Sequence, residues 1–366
     1  MNKKLNTFWI GVILLSILIS GCAASTTNTP TTSINSATQQ AQGAEPPASS
    51  AGSNAYAPII SKGTTYTNTI KSPAPTDVPA ATQQTTVGAI KTVFVILMEN
   101  QDWSSIQGNP SAPFINKTLL PEASYALNYH NPPGNHPSLP NYLWLEAGTN
   151  FGILNDGSPS ENHQSTNQHL VTLLNNAGIS WRAYEENISG KTCPLTGNNL
   201  YAPRHNPMVY FNDVTNNNDP NSSYCISHER PFSELAGDLQ NNTVARYNFI
   251  TPNVCDDMHN SSGCATSDAI KNGDTWLSKE VPKIMASKAY QDGGVIFITW
   301  DEAAHGDAPI GMMVLSPLAK GNGYTNDNQY THSSTLRTIE EIFGVKPLLG
   351  DAANATDLSD LFKTFP

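Results

Sequence analysis

The chain from residue 87 to residue 366 predicts an α/β fold with a mostly parallel central sheet. Two apolar runs, residues 92–98 and 294–300, are rich in β-branched and aromatic side chains, as strands buried on both faces are. Segments with helical periodicity alternate with the predicted strands, which favours helices on both faces of the sheet. Each long strand also ends in a polar pair, and ligands bind at the carboxyl ends of such strands.

The other predicted elements continue this alternation along the chain. Helical patterns occur at 114–119, 139–146, 169–177, 274–286 and 333–343. Further strands are predicted at 180–184, 247–250 and 311–315. Gly178 and Gly344 end two of the helices, and Pro282 is expected to kink or restart a third. The stretch 187–240 is rich in Asn, Pro and Tyr without periodicity, and we expect an irregular insertion that caps the site.

The first 22 residues have the pattern of an export signal. Lys3 and Lys4 precede an apolar stretch, residues 8–19, that is too short to span a bilayer stably. Small residues directly before Cys22 make the segment resemble a bacterial lipoprotein signal, which is cleaved before a cysteine that becomes lipid-modified. An ordinary secretory signal or a short membrane anchor is the alternative. The resemblance implies an extracytoplasmic bacterial protein anchored to the membrane or cell surface through lipid on Cys22.

Residues 23–86 are predicted to form a disordered tether. Ala, Ser, Thr, Pro, Gln and Asn dominate the segment, which carries only four charged residues. A segment with so few large apolar groups cannot offset the entropy of its own ordering. The alternative to full disorder is that residues 56–60 pack on the domain as an arm. The remaining chain, 87–366, has the length of one large catalytic domain.

The charge of the chain argues against one class of partner, and its cysteine content indicates disulfides. A net charge of −11 without any basic block argues against a nucleic-acid partner, and no protein partner is inferred. Four cysteines remain after Cys22, and an even number in an exported domain indicates two disulfides with three possible pairings. Cys255 with Cys264 would close a short loop and leave Cys193 with Cys225. A zinc site is the alternative, although no C-x₂-C pair occurs.

Ser138 lies where a predicted helix begins. Its hydroxyl and the free backbone N–H groups there would point at the same space, which favours an anion, although Ser is also an ordinary helix cap. The pairs Glu99-Asn100 and Asp301-Glu302 offer oxygen ligands for a metal, or are simply polar strand ends. Because both pairs directly follow long apolar strands, a metal site is favoured over the interpretation as polar strand ends. A metal beside a hydroxyl nucleophile indicates phosphate-ester chemistry.

Together these segments are similar to a family of bacterial and fungal phosphoesterases that contains acid phosphatases and non-haemolytic-type phospholipases C. The motifs that carry the similarity occur in family order, and such ordered multiplicity is more specific than any single motif. They are MEN at 98–100, HPS-x-PNY at 136–142, WR-x-Y-x-E at 181–186, HNP at 205–207, PN-x-C-x-DMH at 252–259, D-x-WL at 274–277, TWDE at 299–302 and HSSTLRTIE at 332–340. The similarity implies an alkaline-phosphatase-like three-layer sandwich.

The resemblance also implies a mechanism. Ser138 would attack phosphorus and form a phosphoseryl intermediate that water hydrolyses. Glu99, Asn100, Asp301 and Glu302 would hold a divalent metal cation, one or two in number. Carboxylate and amide oxygens favour Ca²⁺, Mg²⁺ or Mn²⁺ over zinc.

Histidines complete the site that the resemblance implies. His205, His259 and His332 would hold phosphate oxygens or protonate the leaving group, and Asp257 could orient His259. Imidazolium is populated near or below its ordinary pKa, which would fit an acidic optimum. The predicted substrate-binding residues are His136, Asn141 and Asn206. The remaining histidines, His130, His163, His169 and His228, are expected to be structural, and His305 is left undecided.

Within the family, the acid-phosphatase branch fits better than phospholipase C. The chain lacks the additional C-terminal β domains of the larger phospholipases, whose nucleophile is often Thr. After Asp301-Glu302 it continues with Ala303-Ala304-His305 where the phospholipase pattern has Asn-Asp-Gly. We expect a small phosphate-ester substrate. The alternatives are a phospholipase C-type phosphodiesterase and a non-catalytic surface-binding lipoprotein on the same scaffold.

Overall fold

The computed structural model describes residues 89–366. The predicted signal with Cys22 and the predicted tether 23–86 lie outside the described residues. Within them, most of the chain is organised around one sheet of eight strands, and a separate pair of very short strands lies apart from it. The strands are β1 Thr92–Met98, β2 Ser124–Ala126, β3 Tyr129–His130, β4 Trp181–Glu185, β5 Glu229–Pro231, β6 Tyr247–Thr251, β7 Gly294–Trp300, β8 Met312–Leu315, β9 Tyr324–Asn326 and β10 Tyr330–Thr331.

The central sheet is mostly parallel, with the order β5-β4-β6-β1-β7-β8-β2-β9. Strand β1 lies in its middle and pairs in parallel with β6 and β7. Every residue of β1 and β7 is buried, as their continuous apolar composition predicts. Strand β8 is the exception in direction, because it pairs antiparallel with both β7 and β2.

Helices form the other layers. One group, α3, α5 and α11, packs together, and a second group, α8, α9 and α10, packs together; α5 contacts β4 and α10 contacts β7. The helices are α1 Trp103–Ile106, α2 Leu120–Glu122, α3 Ser138–Ala147, α4 Pro159–Asn162, α5 Leu170–Asn176, α6 Asn212–Thr215, α7 Ser223–His228, α8 Leu235–Asn241, α9 Ala269–Met285, α10 Lys288–Gln291 and α11 His332–Phe343. The predicted three-layer α/β class is confirmed.

Several short elements depart from the sequence prediction. The helical pattern at 114–119 forms a π-helix, Ile115–Leu119, that runs into α2. Helix α9 begins earlier than predicted, because the Asp268 side chain accepts a hydrogen bond from the Lys271 backbone N–H at 3.0 Å and caps a new start. Pro282 lies inside this helix without ending it. Part of the predicted capping insertion, 187–240, is β5, which forms an edge of the central sheet.

Two disulfides are present, Cys193–Cys225 and Cys255–Cys264. This is the pairing in which one bond closes a short loop of nine residues' separation and the other spans 32. The first bond ties the irregular segment before β5 to α7. The second closes the loop that follows β6, and that loop carries Asp257 and His259.

A buried ionic cluster joins α3 to the 187–240 segment. His169 is fully buried, and its Nδ1 lies 2.9 Å from Glu146 of α3, while its Nε2 lies 3.0 Å from Asp213 of α6. Burial alone would lower the His169 pKa, but the hydrogen bonds to Asp213 and Glu146 outweigh it and raise the pKa. His169 is therefore structural, as expected, and its charge holds two segments together.

This cluster predicts a pH dependence of stability. Because the folded state raises the His169 pKa, its stabilisation is full below the unfolded value of about 6.5 and is lost as pH rises through the folded pKa. We expect His169→Gln to lower the free energy of unfolding by about 3 kcal/mol at about pH 5. The loss should be smaller at about pH 8, as urea unfolding measures.

The exposed His163 provides the matched control. His163→Gln should change the free energy of unfolding by less than about 0.5 kcal/mol at either pH. An equal loss for His169→Gln at both pH values would contradict a role for the His169 charge.

Candidate active site

The ends of β1 and β7 bring two acidic segments together. The two strands run side by side, with Met98 opposite Trp300. The backbone N–H of Asp301 donates to the Met98 carbonyl at 2.9 Å, and the backbone N–H of Asn100 donates to Asp301 Oδ1 at 3.1 Å. The two polar pairs that the sequence singled out are therefore neighbours at the carboxyl edge of the sheet.

Ser138 joins this edge from helix α3. It is the first residue of the helix and is only 3% exposed. Its hydroxyl donates to Glu99 Oε2 at 3.2 Å, across 39 residues of sequence. The next backbone N–H, of Leu139, donates to Asp156 Oδ1 at 3.0 Å. The hydroxyl therefore lies at a helix start, as expected, but the Leu139 N–H there is occupied by a carboxylate and Pro140 has no N–H to offer an anion.

Tyr142 also contacts Glu99, and its role was missed from the sequence. Its hydroxyl donates to Glu99 Oε1 at 2.5 Å, so Ser138 and Tyr142 hold one oxygen each of the same carboxylate. The sequence did contain a signal for this role, because Ser138 and Tyr142 are four residues apart and therefore lie on one face of α3. The Tyr142 ring stacks on His205 with centroids 5.3 Å apart.

Three amide or imidazole groups hold Glu302. Asn100 Nδ2 donates to one Glu302 oxygen at 2.9 Å, and the other lies 3.0 Å from Asn141 Nδ2 and 2.7 Å from His136 Nδ1. His136 Nε2 lies 3.3 Å from Asp307 Oδ1. His136 and Asn141, expected to bind substrate, are thus engaged with a carboxylate of the site, and they position Glu302.

His205 lies between two buried carboxylates. Its Nε2 is 3.4 Å from Glu99 Oε1, and its Nδ1 is 3.4 Å from Asp257 Oδ2. Burial lowers the His205 pKa well below its ordinary value, with further lowering from the charges of Arg204 and His259. A neutral ring keeps a lone pair available for a metal. Ligand atoms of Glu99, His205 and Asp257 lie within 4.8 Å of one another, a grouping the sequence analysis did not propose.

The other predicted site histidines have different surroundings. His332 is fully buried, with Nε2 2.5 Å from the Asp301 carbonyl and Nδ1 3.1 Å from the Tyr129 hydroxyl. Burial lowers its pKa to about 4, although the Asp301 carbonyl opposes this. The ring is therefore neutral at mildly acidic pH and both nitrogens are engaged, so it supports the Asp301 backbone rather than reaching substrate. His259 is exposed.

Two smaller expectations also need correction. Asp257 was expected to orient the His259 ring, but its Oδ1 accepts from the His259 backbone N–H at 2.7 Å. Asn206 was expected to contact substrate, yet its amide donates to Glu229 Oε2 at 2.7 Å within the protein. Both side chains are engaged within the protein, Asp257 by a backbone N–H and Asn206 by a buried carboxylate. His305, left undecided, has its Nδ1 2.8 Å from Asp102.

Four carboxyl groups of this site lie together with their pKa values raised. Burial is the largest cause for each, and repulsion from neighbouring carboxylates adds to it. Asn100 Oδ1, Asp257 Oδ2 and Asp301 Oδ2 are buried without a hydrogen-bond partner among residues 89–366. Unpaired oxygens and excess negative charge are what a bound cation would satisfy, so the residues fit a metal. The four groups are Glu99, Asp257, Asp301 and Glu302.

At the carboxyl edge of a mostly parallel α/β sheet, a buried hydroxyl thus lies beside clustered carboxylates, which together form a candidate nucleophile and a candidate metal site. The sequence pattern of the phosphoesterase family matches residues 123–346, more than half of the chain. The chain belongs to the phosphoesterase family, as its motifs predicted, and is a hydrolase of phosphoric esters.

Two similar proteins have phosphatase names. The chain is 28% identical over 270 residues to a phosphatidylinositol-3-phosphatase of Mycobacterium tuberculosis, covering 74% of this chain and 82% of that one. It is 29% identical over 229 residues to a phosphate-repressible acid phosphatase of Penicillium chrysogenum, covering 59% of this chain and about half, 51%, of that one. Among solved structures, it is similar to a protein in the alkaline phosphatase superfamily from Vibrio parahaemolyticus, with 12% identity, a TM-score of 0.49 and coverage of 74% and 70% of the two chains.

Proposed function

We propose that this protein is a metal-dependent acid phosphatase that hydrolyses phosphate monoesters through a phosphoserine on Ser138. The observation that carries the proposal is the hydrogen bond from the buried Ser138 hydroxyl to Glu99 at the start of α3. That bond places the hydroxyl beside a candidate cation site, which would attract a phosphate group. The phosphatase names of two similar proteins support monoester chemistry.

The reaction divides into two displacements. In the first, Ser138 Oγ bonds to phosphorus, its proton passes along the hydrogen bond to Glu99, and the bond from phosphorus to the leaving alcohol breaks. The departing oxygen takes a proton from His259, whose ring centre lies 5.9 Å from that of His205. In the second, water gives a proton to His259 and bonds to phosphorus, the bond from phosphorus to Ser138 Oγ breaks, and Glu99 returns its proton to Oγ, which releases inorganic phosphate and restores the Ser138 hydroxyl.

Glu99, Asn100, Asp301 and Glu302 would hold the divalent cation. When bound, the cation would neutralise charge on the phosphoryl oxygens and lower the pKa of the attacking hydroxyl. Oxygen ligands favour Ca²⁺, Mg²⁺ or Mn²⁺. His205 and Asp257 extend the ligand set around Glu99 with one imidazole, which Mn²⁺ tolerates better than Ca²⁺.

Surface composition favours a soluble ester over a phospholipid. A lipid-cleaving site needs an apolar rim to engage acyl chains. Within residues 89–366, Leu154 is the one large apolar side chain that is exposed, at 59%. A single exposed leucine does not make such a rim, so the phospholipase C alternative receives no support from the described surface.

The same proposal includes an extracytoplasmic location. Two disulfides in the described domain are typical of an oxidising compartment. No helix within residues 89–366 has the length and apolar character to cross a membrane. Anchoring through lipid on Cys22 remains part of the proposal and depends on the export signal in the sequence.

Hydrolysis of p-nitrophenyl phosphate against p-nitrophenyl phosphorylcholine, from acidic to alkaline pH and before and after chelation, tests the function. We expect monoester cleavage that chelation abolishes and that divalent metal restores. Preference for the phosphorylcholine diester would move the assignment to a phospholipase C-type activity. Absence of both activities with metal restored would favour the non-catalytic binding lipoprotein.

Tyr142 gives a further prediction. Tyr142→Phe keeps the ring that stacks on His205 and removes only the hydroxyl that holds Glu99. A hydrogen bond to a charged group contributes enough that kcat/KM should fall about tenfold or more. Tyr184→Phe is the matched control, because its hydroxyl donates to Asp238 instead. Equal activity of the two variants would remove Tyr142 from the site.

A further inference from the structure

A cavity lies beside Asp156, the residue that contacts the start of α3. Its volume is about 290 Å³. Polar and apolar groups make up nearly equal parts of its wall, and the polar part includes hydroxyl groups and one ion pair. Its lining includes Asp156, Ser158, Ser160, Leu195, Arg204 and Tyr210.

Two contacts connect this cavity to the nucleophile. Asp156 Oδ1 accepts the backbone N–H of Leu139, the residue that follows Ser138, at 3.0 Å. Arg204 directly precedes His205, and its Nε lies 3.6 Å from Asp156 Oδ2. Through Asp156 and Arg204, the wall of the cavity is therefore connected to the residues that directly follow Ser138 and precede His205.

The chemistry of the wall fits a polyhydroxylated group. The Asp156 carboxylate can accept hydrogen bonds from neighbouring hydroxyls of a ligand, and Arg204 can donate. The Ser158 hydroxyl donates to Glu161 Oε2 at 2.8 Å and therefore offers only its oxygen as an acceptor. The Tyr210 hydroxyl donates to the Gly157 carbonyl at 2.9 Å, which leaves its oxygen to accept. Leu195 offers a small apolar surface for the carbon skeleton. The volume lies at the lower limit of small-molecule sites and excludes long acyl chains.

We propose that this cavity is the leaving-group subsite and that it selects phosphate monoesters of small polyhydroxylated alcohols, such as sugars and polyols. The inference rests on the proposed phosphatase function and adds the class of alcohol that departs. Arg204 and Asp156 are the specificity-determining residues. They contact hydroxyls of the leaving group, while Ser138 takes the phosphoryl group.

The test compares two substrates of similar size. Glucose 6-phosphate carries ring hydroxyls, and cyclohexylmethyl phosphate has none. With the full chain and metal present, kcat/KM for the sugar phosphate should exceed that for the cyclohexyl ester about tenfold or more. Arg204→Met should reduce the ratio of the two kcat/KM values about tenfold, whether each kcat/KM value itself rises or falls. Ser160→Ala, at a partly solvent-exposed hydroxyl, should reduce the ratio less. This variant provides a second test if Arg204→Met folds poorly.

Arg246→Met is the control, because Arg246 precedes β6 at the opposite end from the site and packs on the Phe343 ring. The ratio should not change in that variant. A wild-type enzyme that hydrolyses both esters equally would overturn the subsite while leaving the phosphatase function intact. A variant that loses both rates in equal proportion would assign Arg204 to the phosphate instead. Release of phosphate from neither ester would contradict the proposed function itself.

Discussion

Ser138→Ala should reduce kcat for p-nitrophenyl phosphate by at least about 10³-fold, because removal of a nucleophile leaves only binding and electrostatic catalysis. The fold should survive, since the change deletes one hydroxyl from a helix that stays packed on α11 and α5. Radiolabelled phosphate trapped by acid quench during turnover should be found on Ser138 of the wild type. Ser138→Thr, which keeps a hydroxyl, should retain part of the activity.

Ser333→Ala separates nucleophile loss from general damage. Ser333 is also a buried serine near a helix start, but its hydroxyl bonds to Asp351 and accepts from Trp144. We expect activity within about threefold of wild type and some loss of stability. Ser138→Ala with substantial residual turnover, or label on another residue, would remove Ser138 as the nucleophile.

Asp301→Asn should weaken divalent metal binding on the order of 100-fold, since even residues that only support metal ligands contribute 10–100-fold. Activity at limiting metal should fall accordingly. In the metal-free protein, by contrast, we expect the same substitution to increase stability. Its four buried carboxyl groups repel one another, so the loss of one negative charge should raise the melting temperature of the chelated Asp301→Asn variant above that of chelated wild type.

Asp274→Asn is the control for this pair of measurements. Asp274 is buried too, but it accepts the backbone N–H groups of Phe114 and Ile115 on another part of the domain. Its replacement should lower the melting temperature with or without chelator and leave the metal content unchanged. Unchanged metal content in Asp301→Asn, measured by elemental analysis, would contradict Asp301 as a ligand.

The long elements were predictable because their patterns are local. Strands β1 and β7 coincide with their apolar runs, and Gly344 ends α11 in the left-handed region, with φ 66°. The joint position of Glu99 and Asp301 followed from the rule that parallel strands end at one edge.

Other features depend on contacts that no local pattern carries. Strand β5, three residues long, has no measurable periodicity and exists because β4 offers it an edge. The antiparallel direction of β8 depends on its two partners rather than on its composition. His205 lies between Glu99 and Asp257, residues more than 50 positions away on either side, so only the folded chain reveals it.

The central position of β1 also determines when the domain can begin to fold. The first strand of the described chain finds both of its partners, β6 and β7, more than 140 residues later in sequence. Such distant pairing makes folding slow, and an unpaired β1 exposes a seven-residue apolar run that can aggregate. A nascent chain that ends before β7 cannot complete the sheet, so Glu99 and Asp301 first meet only after β7 has been synthesised. The candidate active site is thus assembled late, and chains truncated before β7 are expected to be inactive.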